Sequence, residues 1–209
     1  KMAEPETKVM RESEKYPVGV LVGQRDTGKT TFMKGDTKLN IPGYVKQKIA
    51  EVKLKGVIIV DTMRARESYL EVKKIDHPQQ YKSGAVHLIV NANNAEEMVQ
   101  WIVDHVTDTF ILLEDAVKVV PDRIKGTAYD ALIVDSKNIR CPFWSMWHTW
   151  MDVPKGFYSK MDLIEIFKIK QHPSVRRNDI TNYEEVLEVY EKVQKNKSPF
   201  YHESVSNGA

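Results

Sequence analysis

Six short apolar runs recur along the chain, with helical patterns between them. The runs are "PVGVLV" (17–22), "GVIIVD" (56–61), "GAVHLIV" (84–90), "TFILLEDA" (109–116), "CPFWSMWHTW" (141–150) and "DLIEIFKI" (162–169). Nearly continuous hydrophobicity over so few residues is the form taken by strands covered on both faces. A helix should begin at Lys29, but Gly35, Pro42 and Gly43 punctuate it early, so a loop and a second helix near "YVKQKIAEVKL" are expected. In "NNAEEMVQWIVDHV", Asn93 can cap a helix with Glu96 at its third position, and Met98, Val99, Ile102, Val103 and Val106 supply an apolar face. "AYDALIVDSK" suits a short helix after a polar loop. "TNYEEVLEVYEKVQ" suits a closing helix with a capping box from Thr181 to Glu184. Strands alternating with helices give a mostly parallel sheet with helices on both faces, an α/β doubly wound architecture.

A length of 209 residues suits one domain. The expected division is a polar arm over 1–16, a single domain over 17–195 and a tail over 196–209. Net charge is +2, too balanced to point to or away from a nucleic-acid partner. A single cysteine, Cys141, excludes an internal disulfide framework and fits a reducing cytoplasm. The first sixteen residues lack the apolar stretch of a secretory signal, and no run approaches the roughly 18 residues of a membrane helix.

The most specific feature is "GQRDTGKTT", which follows the first strand. Gly23, four residues, Gly28, Lys29 and Thr30 form the Walker A pattern. Glycine permits the positive-φ turns that point successive backbone N–H groups at an anion. Backbone from Gln24 through Arg25, Asp26 and Thr27 to Thr30 and Thr31 would cradle the phosphates of ATP. The helix start at Lys29 would add a positive dipole end. The Lys29 ammonium would reach the β- and γ-phosphates, and the Thr30 hydroxyl would hold Mg²⁺.

Two strands end in acids that could hold the metal: Asp61 after "GVIIV", and Glu114 with Asp115 after "TFILL". Hydrolysis needs one acid on Mg²⁺ and a neighbour to orient the attacking water. The adjacent pair provides both, whereas Asp61 has only Thr62 beside it. Glu114 is therefore the expected metal-holding acid, with Asp61 the alternative, and Asp115 the residue that polarises water.

Taken together, the cradle, the strand "GVIIVDT", the acid pair "ILLEDA", the strand "PFWSMWHTW" and the stretch "MDVPKGFYSKMDLIEIFK" resemble the HerA/FtsK superfamily of P-loop ATPases, over about residues 17–170. Viral DNA-packaging ATPases and the phage assembly protein resembling zonula occludens toxin belong there. The resemblance implies a P-loop NTPase of RecA-like strand order, assembled as a homo-oligomeric ring that acts on DNA. It also implies that His148, at the tip of the aromatic strand, senses the γ-phosphate. The family's acid pair usually reads Asp-Glu, the reverse of this chain. A cation lent by a neighbouring subunit would be Arg140, Arg123 or Lys137. The tryptophans at 144, 147 and 150 are expected in the core and in subunit contacts, and "EVKKID" and "SVRRND" as solvated basic loops.

Three other readings stay open. A small kinase would use Asp61 and take "MRARES" (63–68) as its lid. A subunit that binds nucleotide only for assembly would tolerate the inverted acid pair. A GTP switch ranks last, because no Asn-Lys-x-Asp tetrad occurs.

Overall fold

The computed structural model describes residues 11–36, 41–63 and 67–207. Most of the arm expected over 1–16, and residues 64–66 of "MRARES", lie outside the described residues.

A short helix α1 (Glu12–Lys15) precedes β1 (Val18–Val22) and α2 (Lys29–Lys34). A two-stranded hairpin follows, β2 (Gly35–Asp36) and β3 (Ile41–Pro42), then α3 (Tyr44–Val52) and β4 (Gly56–Asp61). Next come β5 (Lys73–Ile75), β6 (Gly84–Ile89), α4 (Ala95–His105), β7 (Thr109–Leu113) and α5 (Ala128–Asp135). The chain ends through β8 (Phe143–Trp147), α6 (Lys155–Tyr158), β9 (Leu163–Ile166), α7 (Tyr183–Lys195) and β10 (Glu203–Ser206).

The main sheet has eight strands in the order β10-β9-β1-β8-β7-β4-β6-β5. Every neighbour pair is parallel except β10 on β9. Within each strand the side chains alternate between two cores. Val20, Val22, Ile58, Val60, Ile111 and Leu113 face α4, α5 and α7. Leu21, Val57, Ile59, Phe110 and Leu112 face the opposite side, where Met33 of α2 packs with them and α3 covers the cluster. A strand clothed on both faces needs no polar alternation, which is why the apolar runs are continuous. Among the described residues, no helix is long and apolar enough to cross a membrane.

Several local expectations are corrected. Asn94, not Asn93, stands at the start of α4, and its side chain makes no cap bond to the helix. The asparagine side chains bond instead within their own turn: Asn91 N–H donates to Asn94 Oδ1, and Asn93 N–H donates to Asn91 Oδ1. Similarly, α7 starts after Asn182 rather than from a Thr181–Glu184 box, and the Asn182 amide donates to the Ser206 carbonyl of β10. "EVKKID" contains the edge strand β5, with Ile75 buried against the core. In "SVRRND", Arg176 is buried and its guanidinium donates to the carbonyls of Trp150, Met151 and Val153. The stretch read as a tail supplies β10, whose Val205 is buried. The aromatic run is a strand only as far as Trp147, and all three tryptophans, Trp144, Trp147 and Trp150, are buried core residues.

Gly19 is the point where β1 tolerates no side chain. A Cβ there would stand 2.6 Å from the indole of Trp144 on the adjacent strand. Gly19→Ala should lower the unfolding free energy by about 1–3 kcal/mol, the usual cost of overpacking a core. In a Trp144→Leu background the same change should cost less, because the two residues share one volume. Denaturant unfolding of the four proteins measures both; strictly additive costs would show that the indole is not the obstruction.

Candidate active site

The strand ends β1, β8, β7 and β4 converge on one edge of the sheet. The loop after β1 is pinned from both sides: Gly23 N–H donates to the Trp147 carbonyl at 3.2 Å, and Gln24 N–H donates to the Lys168 carbonyl at 2.9 Å. Within the loop, Asp26 has φ 60° and Gly28 φ 96°, the left-handed excursions that turn amides inward. The Thr27 hydroxyl braces the turn by donating to the Gln24 carbonyl at 2.8 Å. The helix α2 that follows runs for only six residues before Gly35 ends it.

Lys29 folds back over its own loop. Its Nζ donates to the carbonyls of Gly23 at 2.5 Å and Gln24 at 2.7 Å. The side chain is buried, and burial lowers its pKa to about 8, against the opposing pull of Glu114, Asp115 and Asp26. A desolvated ammonium among loop amides and carbonyls is a site matched to an anion.

Across the cleft, Glu114 Oε1 lies 3.5 Å from Thr30 Oγ1. The same oxygen accepts from the Tyr69 hydroxyl at 2.5 Å. Asp115 follows with φ 47°, and its two oxygens face different partners. One lies 3.1 Å from His148 Nε2, just past the end of β8; the other accepts from Lys118 Nζ at 3.0 Å. His148 Nδ1 is buried and makes no hydrogen bond among the described residues. These groups line a cleft of about 720 Å³, with Met146 and Phe200 on its walls.

Asp61 is placed elsewhere. It ends β4, one strand beyond β7 from the cradle, and sits 3.2 Å from buried His87. It also accepts from the Met63 amide. The structure thus brings Lys29, Thr30, Glu114, Asp115 and His148 together and sets Asp61 beside His87, whose ring lies 5.5 Å from that of Tyr69.

No protein-family model matches the chain, and no curated protein matches it in sequence. Solved structures match its fold. The genome packaging NTPase B204 from Sulfolobus turreted icosahedral virus 2, in complex with AMPPCP, has a TM-score of 0.69 at 16% identity, over 92% of this chain and 93% of that one. The same NTPase in complex with AMP gives 0.67 at 19% identity, over 94% of each chain. B204, the DNA-packaging ATPase from Sulfolobus Turreted Icosahedral Virus, gives 0.64 at 15% identity, over 91% and 92%. The fold is that of a P-loop NTPase. Within it, the run β9-β1-β8-β7-β4 is the RecA-like order that the resemblance implies.

The remaining P-loop NTPase candidates fall in different places. Arg25, Asp26 and Thr31 are exposed on the rim of the cradle. Arg140 forms a two-point ion pair with Asp108, and Lys137 pairs with Asp162. Both acids precede a strand, β7 and β9 respectively, so these cations lie at the sheet edge away from the chain's own cradle. Arg123 is exposed in the loop after β7. Sequence reasoning missed Tyr69, Lys118 and Phe200. Lys118 follows Asp115 by three residues and was the one with a readable signal.

Because folding desolvates the Lys29 ammonium, the folded chain binds this proton less tightly than the unfolded chain, whose lysine has the ordinary value of 10.5. Its cost is therefore full below about pH 8 and fades as pH rises towards 10.5. Relative to Lys29→Met, the wild type should gain about 2 kcal/mol of stability between pH 7 and pH 9.5. Denaturant unfolding of both proteins at those two pH values measures it. A pH-independent difference would show that the ammonium is not desolvated.

Proposed function

We propose that the protein binds ATP with Mg²⁺ and hydrolyses it as one subunit of a cytoplasmic ring that moves DNA. The observation that carries this reading is the closure between Thr30 and Glu114 across the cleft, beside the buried Lys29. In the reading, loop amides from Gln24 to Thr31 hold the phosphates and Lys29 offsets their charge. Thr30 and Glu114 would hold Mg²⁺, which supplies charge neutralisation at the transferring phosphoryl group. Among the described residues no three His, Cys, Asp or Glu side chains gather into a metal cluster. Mg²⁺ asks for no such cage, since phosphates and waters fill most of its octahedron.

In the same reading Asp115 would orient water, and His148 holds one of its oxygens. His148 stands just past the end of the strand between the cradle and the acids, where it can report the state of the phosphate end to Asp115. The kinase reading is weaker because its acid, Asp61, is engaged with His87 away from Thr30. The DNA part of the proposal is supported by the full-length fold match to proteins described as a genome packaging NTPase and a DNA-packaging ATPase. Arg123, Arg140 and Lys137 are the cations that a neighbouring subunit could lend to the site.

The test is phosphate release measured with and without double-stranded DNA, alongside a solution mass. Turnover should require Mg²⁺, rise with DNA and accompany assembly. Lys29→Ala should lose ATP binding while its circular dichroism stays that of the wild type. Glu114→Gln and Asp115→Asn should each lower kcat on the order of 100-fold or more. ATP binding untouched in Lys29→Ala would overturn the assignment of the cradle. A strictly monomeric protein with no turnover on any DNA would overturn the motor.

A further inference from the structure

Phe200 is a large apolar side chain left 63% exposed, and it stands on the wall of the cleft. Its ring lies against Gly28, with Cδ1 3.4 Å from where a Cβ on that glycine would be. The segment carrying it is held in place. Lys168 Nζ donates to the Gln194 and Asn196 carbonyls, Ser198 N–H donates to Asn196 Oδ1, and Phe200 N–H donates to Ser198 Oγ. Beyond it, His202 stacks on Phe167 at 4.7 Å, and β10 pairs with β9.

Resting on the ATP reading above, we propose that Phe200 is the platform on which the nucleobase stacks. Sheet order supplies the polarity. The acids reach the cradle from the β8 and β7 side of β1, so the reactive end of a triphosphate points that way. The C-terminal segment lies on the other side, beyond β9. A nucleotide whose phosphates lie in the loop then carries its base towards the exposed ring. An aromatic face fixed at the rim of a phosphate site suits a flat π-surface better than water, and the stacking it offers is tolerant of base identity because every base has such a face.

The experiment is titration of ATP and of inorganic tripolyphosphate, by calorimetry, into the wild type, Phe200→Ala, Phe200→Trp and Lys29→Ala. Phe200→Ala should weaken ATP by roughly 10-fold or more and leave tripolyphosphate within about 2-fold, since only the base is lost. Phe200→Trp should restore ATP affinity. Lys29→Ala should weaken both ligands. Wild-type ATP binding that Phe200→Ala leaves unchanged, or equal weakening of both ligands, would overturn the platform while leaving the cradle intact. Failure of the wild type to bind either ligand would overturn the ATP reading and the platform with it.

Discussion

β8 lies between β1 and β7, and the width of the cleft follows from that insertion. Neighbouring strands sit about 4.8 Å apart, so the loop after β1 and the acid after β7 are separated by roughly 10 Å of backbone. The gap closes because α2 carries the short Thr30 towards it and the acid after β7 is a long glutamate. Thr30 approaches from the start of α2 and Glu114 from the end of β7, and they meet at 3.5 Å. The inserted strand ends at Trp147, and His148, the next residue, therefore stands in the middle of the opening and contacts Asp115. Had β7 been the direct neighbour of β1, no side chain could occupy that middle position.

The two cores exist to hold these strand ends still. Val20 and Val22 on one face and Leu21 on the other leave β1 no freedom to rotate. Hydrogen bonds from Gly23 to β8 and from Gln24 to the residue Lys168 beyond β9 extend that rigidity into the loop. A loop of alternating left-handed residues is costly to order. Here the cost is met by burial of the flanking strands, and the desolvated Lys29 adds to what the cores must offset.

The frame of the fold and the centre of the site were legible in the sequence for a physical reason: both depend on local chemistry. Gly28 and Lys29 announce a turn and a charge within one loop, and strands covered on both faces show as unbroken apolar runs. What escaped reading depends on partners far along the chain. β5 and β10 lie at sheet edges, where one buried residue each, Ile75 and Val205, is too weak a pattern to read as a strand. Tyr69 reaches Glu114 across 45 positions, and nothing in the surrounding "ESYLEV" marks it. Phe200 sits in a polar stretch that reads as a tail until β10 anchors it beside the loop. The caps shifted by one residue because Asn91, Asn94 and Asn182 spend their side chains on neighbouring turns and strands rather than on the helices.

The inverted acid pair is where geometry answers a question that residue types leave open. An acid that must span the gap to Thr30 gains from the longer side chain, and Glu114 has it. Asp115 is short, so its position must come from backbone. Its φ of 47° turns the chain out of the strand direction immediately after Glu114. The two carboxylates therefore leave the strand end in different directions, one towards Thr30 and Tyr69, the other towards His148 and Lys118. Left-handed backbone is tolerated by aspartate better than by most residues, because a short polar side chain can bond locally, whereas a longer glutamate gains less from it. At a strand end that turns in this way, Glu followed by Asp is the order in which each carboxylate meets the backbone conformation that suits it.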